Sequence, residues 1–404
     1  MSPPLYLKYF QVSSAFVSFI SSSIMASSIA WFGSAESTPY RRIILGLSIS
    51  DIFRSLGLLF GPLAVPITKV SLTVENEVLS CRVNGLVLQV ATTALAMHTV
   101  FLSVYYLFKL KYRMSNESFK HRIERRVRAF IVLFSLMSGI VPLVMNAYHI
   151  SSLTLSTCTI ANAPTGCWRE DDCDPAYRRV FRILSYLLVV GVNVVFMAVI
   201  ITIMAVLYHH TFVLKRRIQR EVSVPTALRS DRTSEDEAPN VTDEKEVAKE
   251  RDIEVGKPQI RVQQLSKLYH NEMMTQAISF VGIYFLMYIP VMVAHAGDPP
   301  DFLLAITMIF FPLGGFLNIL VYTRPKVAEL RRRYPECSRP RGLWMVLKTG
   351  GEIPENIDLS LSCCRDCCHV PEWMLESEYD SDYSSRVLTR QLYGGPIARL
   401  PTGF

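Results

Sequence analysis

Charge is scarce in this chain, and its distribution says more than its total. Only 19% of the 404 residues are Asp, Glu, Lys or Arg, against 50% hydrophobic. From Phe302 to Thr323 there is no Asp, Glu, Lys, Arg or His at all. At 1.5 Å per residue such a run crosses a hydrocarbon core of about 30 Å. This excludes one ordinary soluble domain. No basic cluster is interleaved with aromatics, so the net charge of +7 does not point to nucleic acid. No second His or carboxylate lies at ligand spacing beside His98, so a hydrogen-bonded role inside a bundle is favoured over a metal ligand. Met1 to Lys8 lacks the positive n-region of a cleavable signal peptide, so the first apolar run reads as a span, and the amino terminus before it as too short for an ectodomain.

What is present is a series of seven such runs, at about 9–32, 43–67, 83–108, 129–148, 183–208, 273–295 and 302–323. They predict an all-α membrane protein, a seven-transmembrane-helix bundle covering 9–334. Residues 209–272 mix Glu, Asp, Lys, Arg, Pro and Ser with few apolar side chains, and 335–404 is similarly polar; both are expected to be disordered. Arg41 and Arg42, the eight Lys and Arg from Lys109 to Arg128, Lys215 to Arg220, and Arg324 to Arg333 all fall on one side of such a bundle. By the positive-inside bias that side is the cytosol, with the amino terminus outside and the carboxyl terminus inside. The sequons at Asn116 and Asn240 then lie inside and stay unused.

The few polar groups within the spans stand out because lipid cannot satisfy them. Asp51 and Arg54 sit three apart in the second span, where each offsets part of the other's burial cost. Asn318 and Tyr322, four apart in the seventh, share a face that should turn to other helices. Pro142 and Pro290 are expected to bend the fourth and sixth spans. Cys81, Cys158, Cys167 and Cys173 fall on the expected outer side, an even number in an oxidising compartment with three connectivities open. Glu170, Asp171, Asp172 and Asp174 beside them either attract a cationic ligand or are simply solvated. Cys363, Cys364, Cys367 and Cys368 near the carboxyl end suit reversible acylation, with zinc as the crowded alternative.

The stretch Phe310 to Val327, FFPLGGFLNILVYTRPKV, resembles the end of the seventh helix in heptahelical G-protein-coupled receptors, especially the protist and diatom group akin to cyclic-AMP-receptor and secretin-like receptors. LSISDI, Leu47 to Ile52, is similar to the second-helix pattern of rhodopsin-like receptors, which implies that Asp51 faces Asn318. The resemblance implies an internal switch of Asp51, Asn318 and Tyr322, a hinge at Pro290, and a G-protein face of Tyr105, Tyr106, Lys109, Lys215 and Arg324. It implies an eighth helix near Lys326 to Tyr334. It also implies Cys81 paired with Cys158 and Cys167 with Cys173, while the Cys167-Trp168 dipeptide, similar to secretin-like receptors, implies Cys81 with Cys167. The pattern departs from the rhodopsin-like one at three places. Ile319 replaces a proline, Tyr105-Tyr106-Leu107 replaces an acidic-Arg-Tyr triplet, and Tyr288 stands where tryptophan is common.

The function so implied is a multi-pass plasma-membrane receptor passing the signal of an unknown extracellular ligand to a heterotrimeric G protein, without catalysis, cofactor or metal. A retinal photoreceptor would need a lysine within the spans, and none holds one. A metal hydrolase would need His and carboxylates at matching depth, and His98, Asp51 and His295 are scattered. The remaining alternative is a seven-helix transporter. It would be expected to show an internal repeat, which is absent, or a broken helix, for which Gly314 and Gly315 mark the place.

Overall fold

The computed structural model describes residues 5–32, 38–64, 74–150, 157–160, 175–230, 272–295, 300–334 and 337–349. Helices α1 (Leu5–Phe32), α2 (Pro39–Ala64) and α3 (Val74–Leu110) come first. Next is α4 (Asn116–Val144), whose second turn is a π-helical stretch at Lys120–Glu124. A short antiparallel hairpin follows, β1 (Tyr148–Ile150) paired with β2 (Cys158–Ile160) in the register Tyr148 to Ile160. Helix α5 runs through Pro175–Ser185, a π-helical stretch at Tyr186–Gly191, and Val192–Ser230. It is followed by α6 (Glu272–His295), α7 (Asp301–Phe310), α8 (Gly314–Arg333) and α9 (Arg339–Lys348).

Six of these helices are long and apolar enough to cross a membrane, and α7 with α8 makes a seventh span bent by 59°. Helix α3 is the hub, packed against α2, α4, α5 and both strands, while α1 packs against α2, α7, α8 and α9.

The faces of the helices show which solvent they meet. Helix α4 exposes Phe130, Leu133, Met137 and Val144, and buries Ser135, Ser138, Gly139 and Pro142. Helix α1 exposes Phe10, Phe16 and Ile24 while burying Ser14, Ser18, Ser21 and Ser22. Large apolar groups outside and small or hydroxylated ones inside is the arrangement of helices in lipid, where close backbone approach and interhelical hydrogen bonds replace hydrophobic burial. Ser138 illustrates it, donating to Thr93 Oγ1 on α3 at 3.1 Å. His98 is likewise a bundle residue, with Nδ1 2.7 Å from the Ala94 carbonyl and its ring filling the space that a Cβ on Gly46 would need.

Helix ends differ from the expected ones where the chain leaves lipid. Helix α3 begins at Val74, well before residue 83, and the fifth helix continues to Ser230, into the stretch expected to be disordered from 209. The fourth ends at Val144 instead of 148. Pro142 precedes the end, Asn146 takes a left-handed conformation with φ 53°, and Ala147 donates to the Pro142 carbonyl at 2.8 Å. Tyr148 is therefore the first strand residue. Lys326 to Arg333 is not a separate eighth helix but the last two turns of α8, with Pro325 inside it. A distinct helix, α9, begins only at Arg339, within the tail expected to be disordered. The remainder of 209–272 and of that tail, Cys363 to Cys368 included, lies outside the described residues.

Candidate functional site

The seventh span breaks because Phe311, Pro312, Leu313 and Gly314 cannot continue α7. Pro312 has no N–H, and the last regular bond, from Phe311 N–H to the Thr307 carbonyl at 3.1 Å, gives way to a new series that begins at Leu317 and Leu313. The first N–H groups of α8 therefore need partners. Ser18 of α1 accepts one of them, from Gly315, at 2.8 Å. The same hydroxyl donates to Asp51 Oδ2 at 3.1 Å, and Ser22 donates to that oxygen at 2.6 Å. Asp51 Oδ1 pairs with Arg54 Nη2, both side chains being fully buried. Arg54 lies over the Phe311 ring, 5.0 Å from its centroid, and reaches Met287 of α6. One buried node thus ties α1, α2, α6 and the break in the seventh span. A paired, hydrogen-bonded carboxylate is the form in which such a charge survives out of water.

Gly314 and Gly315 are required here by space. A Cβ on Gly314 would strike Arg54 Nη2 and Met287 Sδ, and one on Gly315 would strike Asp51 Oδ2 and Ser22 Oγ. This corrects the expected contact between Asp51 and Asn318. The bend sets the first turn of α8 against Asp51, so Gly315 occupies that place, and no hydrogen bond joins Asp51 to Asn318. Asn318 and Tyr322 are both buried, as their shared face predicts.

Above the node, toward the hairpin, lies a cavity of about 120 Å³. Its floor is Phe311, Pro312 and Tyr288, and its roof includes Thr157, Cys158, Thr159 and Ile160. Phe311 therefore touches the cavity on one side and Arg54 on the other, with Tyr288 edge-on to it at 6.0 Å between centroids. The roof is pinned twice. Cys81 on α3 is bonded to Cys158, with Cα atoms 5.4 Å apart, and the Tyr148 ring fills the notch at Gly85 while its hydroxyl donates to the Gly139 carbonyl at 2.9 Å. Burial pushes that phenol's pKa up, so it remains a neutral donor. The Cys81–Cys158 pairing is the first of those the resemblance implied; Cys167 and Cys173 lie outside the described residues.

At the opposite end of the bundle four tyrosines converge. Tyr40 of α2 stacks on Tyr322 of α8 at 6.2 Å and lies 6.0 and 6.3 Å from Tyr105 and Tyr106 of α3. Gln276 of α6 donates to the Tyr40 hydroxyl at 2.6 Å, and Lys326 donates to that of Tyr322 at 2.8 Å. Tyr105 and Tyr106, expected on a partner face, are buried inside this cluster; Lys109 is half-buried and Arg324 exposed, while the Lys215 side chain lies outside the described residues. Pro290 is buried within an unbroken α6. Nearby, Glu124 is fully buried and accepts from Arg42 Nε and Nη2 and from Arg128 Nη2, each at 2.6 Å, clamping α2 to α4.

Sequence reasoning missed Ser18, Ser22, Tyr40 and Glu124. Glu124 had a signal, an acid set in a run of arginines. The two serines had none, since α1 carries many others. Among the described residues no three His, Cys, Asp or Glu come together as a metal site.

No family model matches the chain, and no curated protein matches it. Among solved structures it is similar to the crystal structure of squid rhodopsin, at 16% identity and a TM-score of 0.52, over 87% of this chain and 92% of that one. The likeness establishes the fold: this is a multi-pass, all-α seven-helix bundle with the architecture of squid rhodopsin.

Proposed function

We propose that the protein is a cell-surface receptor that binds a ligand in the cavity beneath the hairpin and passes the signal to a heterotrimeric G protein at the tyrosine end. The observation that supports this best is a continuous path. Phe311 joins the cavity to the Asp51–Arg54 node, and α8 carries the node to Tyr322 and the tyrosine cluster. On this reading the hairpin end faces outward and the tyrosine end, with its Lys and Arg, faces the cytosol of a plasma membrane. The amino terminus is then outside and the carboxyl terminus inside. The assignment to the protist-like group is supported by the seventh-helix exit and by the segment Cys158 to Cys167, CTIANAPTGC, which resembles the paired-cysteine segment of that group.

The mechanism is a shift between two populations, with ligand binding one of them more tightly. Pressure on Phe311 and Tyr288 alters the bend of the seventh span, and Asp51, Asn318 and Tyr322 relay it inward. Opening about Pro290 parts Gln276 from Tyr40 and uncovers Tyr105 and Tyr106 beside Lys109, Lys215 and Arg324. A Schiff-base photoreceptor needs a lysine at the cavity, and among the described residues none lines it.

One observation favours a transporter instead, the broken seventh span. Against it, the Gly315 N–H freed at the break is occupied by Ser18. A ligand-panel screen reading G-protein dissociation separates the two. A ligand that dissociates the G protein is expected, with Tyr322→Ala lowering its potency at least about tenfold, the worth of one buried hydrogen-bonded contact. No response to any ligand, together with solute flux into proteoliposomes, would establish the transporter.

A further inference from the structure

The chemistry of the cavity wall names the class of molecule it accepts. Twenty-seven described residues line it, and none is Asp, Glu, Lys or Arg. Most polar groups at the wall are already committed. Tyr288 donates to the Thr92 carbonyl at 3.1 Å, Asn193 accepts from Tyr284 at 3.0 Å and donates to the Val189 carbonyl at 2.7 Å, and Thr307 donates to the Leu303 carbonyl at 2.9 Å. Thr93 accepts from Ser138 at 3.1 Å, and His295 Nε2 lies 3.2 Å from Ser185 Oγ. Two of the wall's fully buried polar atoms are not committed. The carboxamide oxygen of Gln11, on a side chain only 2% exposed, has no partner, and neither has the hydroxyl of Thr92.

A buried acceptor left without a donor is costly, and proteins pair nearly all of them. Gln11 is on α1 and Thr92 on α3, and both line the same apolar space, where leucine and valine would have served packing as well. An ion placed there would lose its hydration with no counter-charge to meet it. Asp51 and Arg54, on the far side of Phe311, already neutralise each other.

We infer that the cavity binds an uncharged, predominantly apolar small molecule bearing a hydroxyl, which donates to Gln11 Oε1 and bonds the Thr92 hydroxyl. The inference rests on reading this cavity as the ligand site. It does not depend on G-protein coupling, so binding and signalling can fail separately.

Three probes of one skeleton test it: 2-phenylethanol, phenethylamine, which is cationic at neutral pH, and phenylacetate. They are titrated calorimetrically into the full chain in lipid nanodiscs, with empty discs subtracted. The alcohol is expected to bind saturably, with the cation and the carboxylate at least about tenfold weaker, the loss of uncompensated ion desolvation. Gln11→Leu is expected to weaken the alcohol about fivefold without lowering thermal stability, because it removes an unpaired acceptor. Thr92→Val is the second variant should the first fail to fold. Absence of saturable binding by the alcohol, equal or tighter binding of either ion, or an alcohol affinity unchanged in both variants overturns the inference.

Discussion

Asp51→Ala is expected to destabilise the bundle by about 3–5 kcal/mol, since it leaves the Arg54 guanidinium buried without its counter-charge. In thermal unfolding of the purified protein this is a fall of roughly 10 °C. The loss is not the worth of the ion pair. The double variant Asp51→Leu, Arg54→Met removes both charges and is expected to recover most of the stability, because a buried pair and an apolar pair of similar volume are close in free energy. Ser18 then keeps the Gly315 N–H, while the hydroxyls of Ser18 and Ser22 both lose their acceptor. If Asp51→Ala unfolds within 2 °C of the wild type, a shift of no more than about 1 kcal/mol, then Arg54 has another partner and the Asp51–Arg54 node is wrong.

Gly315→Val is the second large effect. Its branched side chain would have to occupy the position of Asp51 Oδ2 and Ser22 Oγ, neither of which can retreat without breaking a hydrogen bond. Overpacking together with the lost bonds is expected to cost roughly 2–4 kcal/mol. Gly282→Ala, on the open side of α6 with nothing within 4 Å of the added carbon, is the control. It is expected to be neutral or to gain up to about 1 kcal/mol from helix propensity. Equal stability of the two variants, read from unfolding midpoints, would mean that the break does not pack on the node.

The seven spans were legible because lipid leaves so little freedom. A run without charge must be a helix, and its polar exceptions must face protein. Asp51 and Arg54 were readable as a pair for the same reason. Helix ends were not legible, since hydropathy reports where lipid stops and not where hydrogen bonding stops: α5 runs on through Lys215 to Ser230, and α8 runs through Pro325 to Arg333. The partner of Asp51 was misplaced because it was carried over from the rhodopsin-like pattern, without the bend that Gly314 and Gly315 make here. FPLGG carried the correction in plain view, a proline beside two glycines, yet only the fold shows that those glycines make room for a charge pair on another helix. The tyrosine cluster was half visible. Tyr105, Tyr106 and Tyr322 were singled out, whereas Tyr40 sits just before the apolar run that defined the second span, outside the window that hydropathy examines.

The receptor depends on α7 and α8 being one bent crossing and not a re-entrant loop. Epitope tags at the two termini, tested for antibody access in intact and permeabilised cells, decide it. The amino-terminal tag is expected to be reached in intact cells and the carboxyl-terminal tag only after permeabilisation. Both tags on the same side of the membrane would leave six crossings and contradict the receptor.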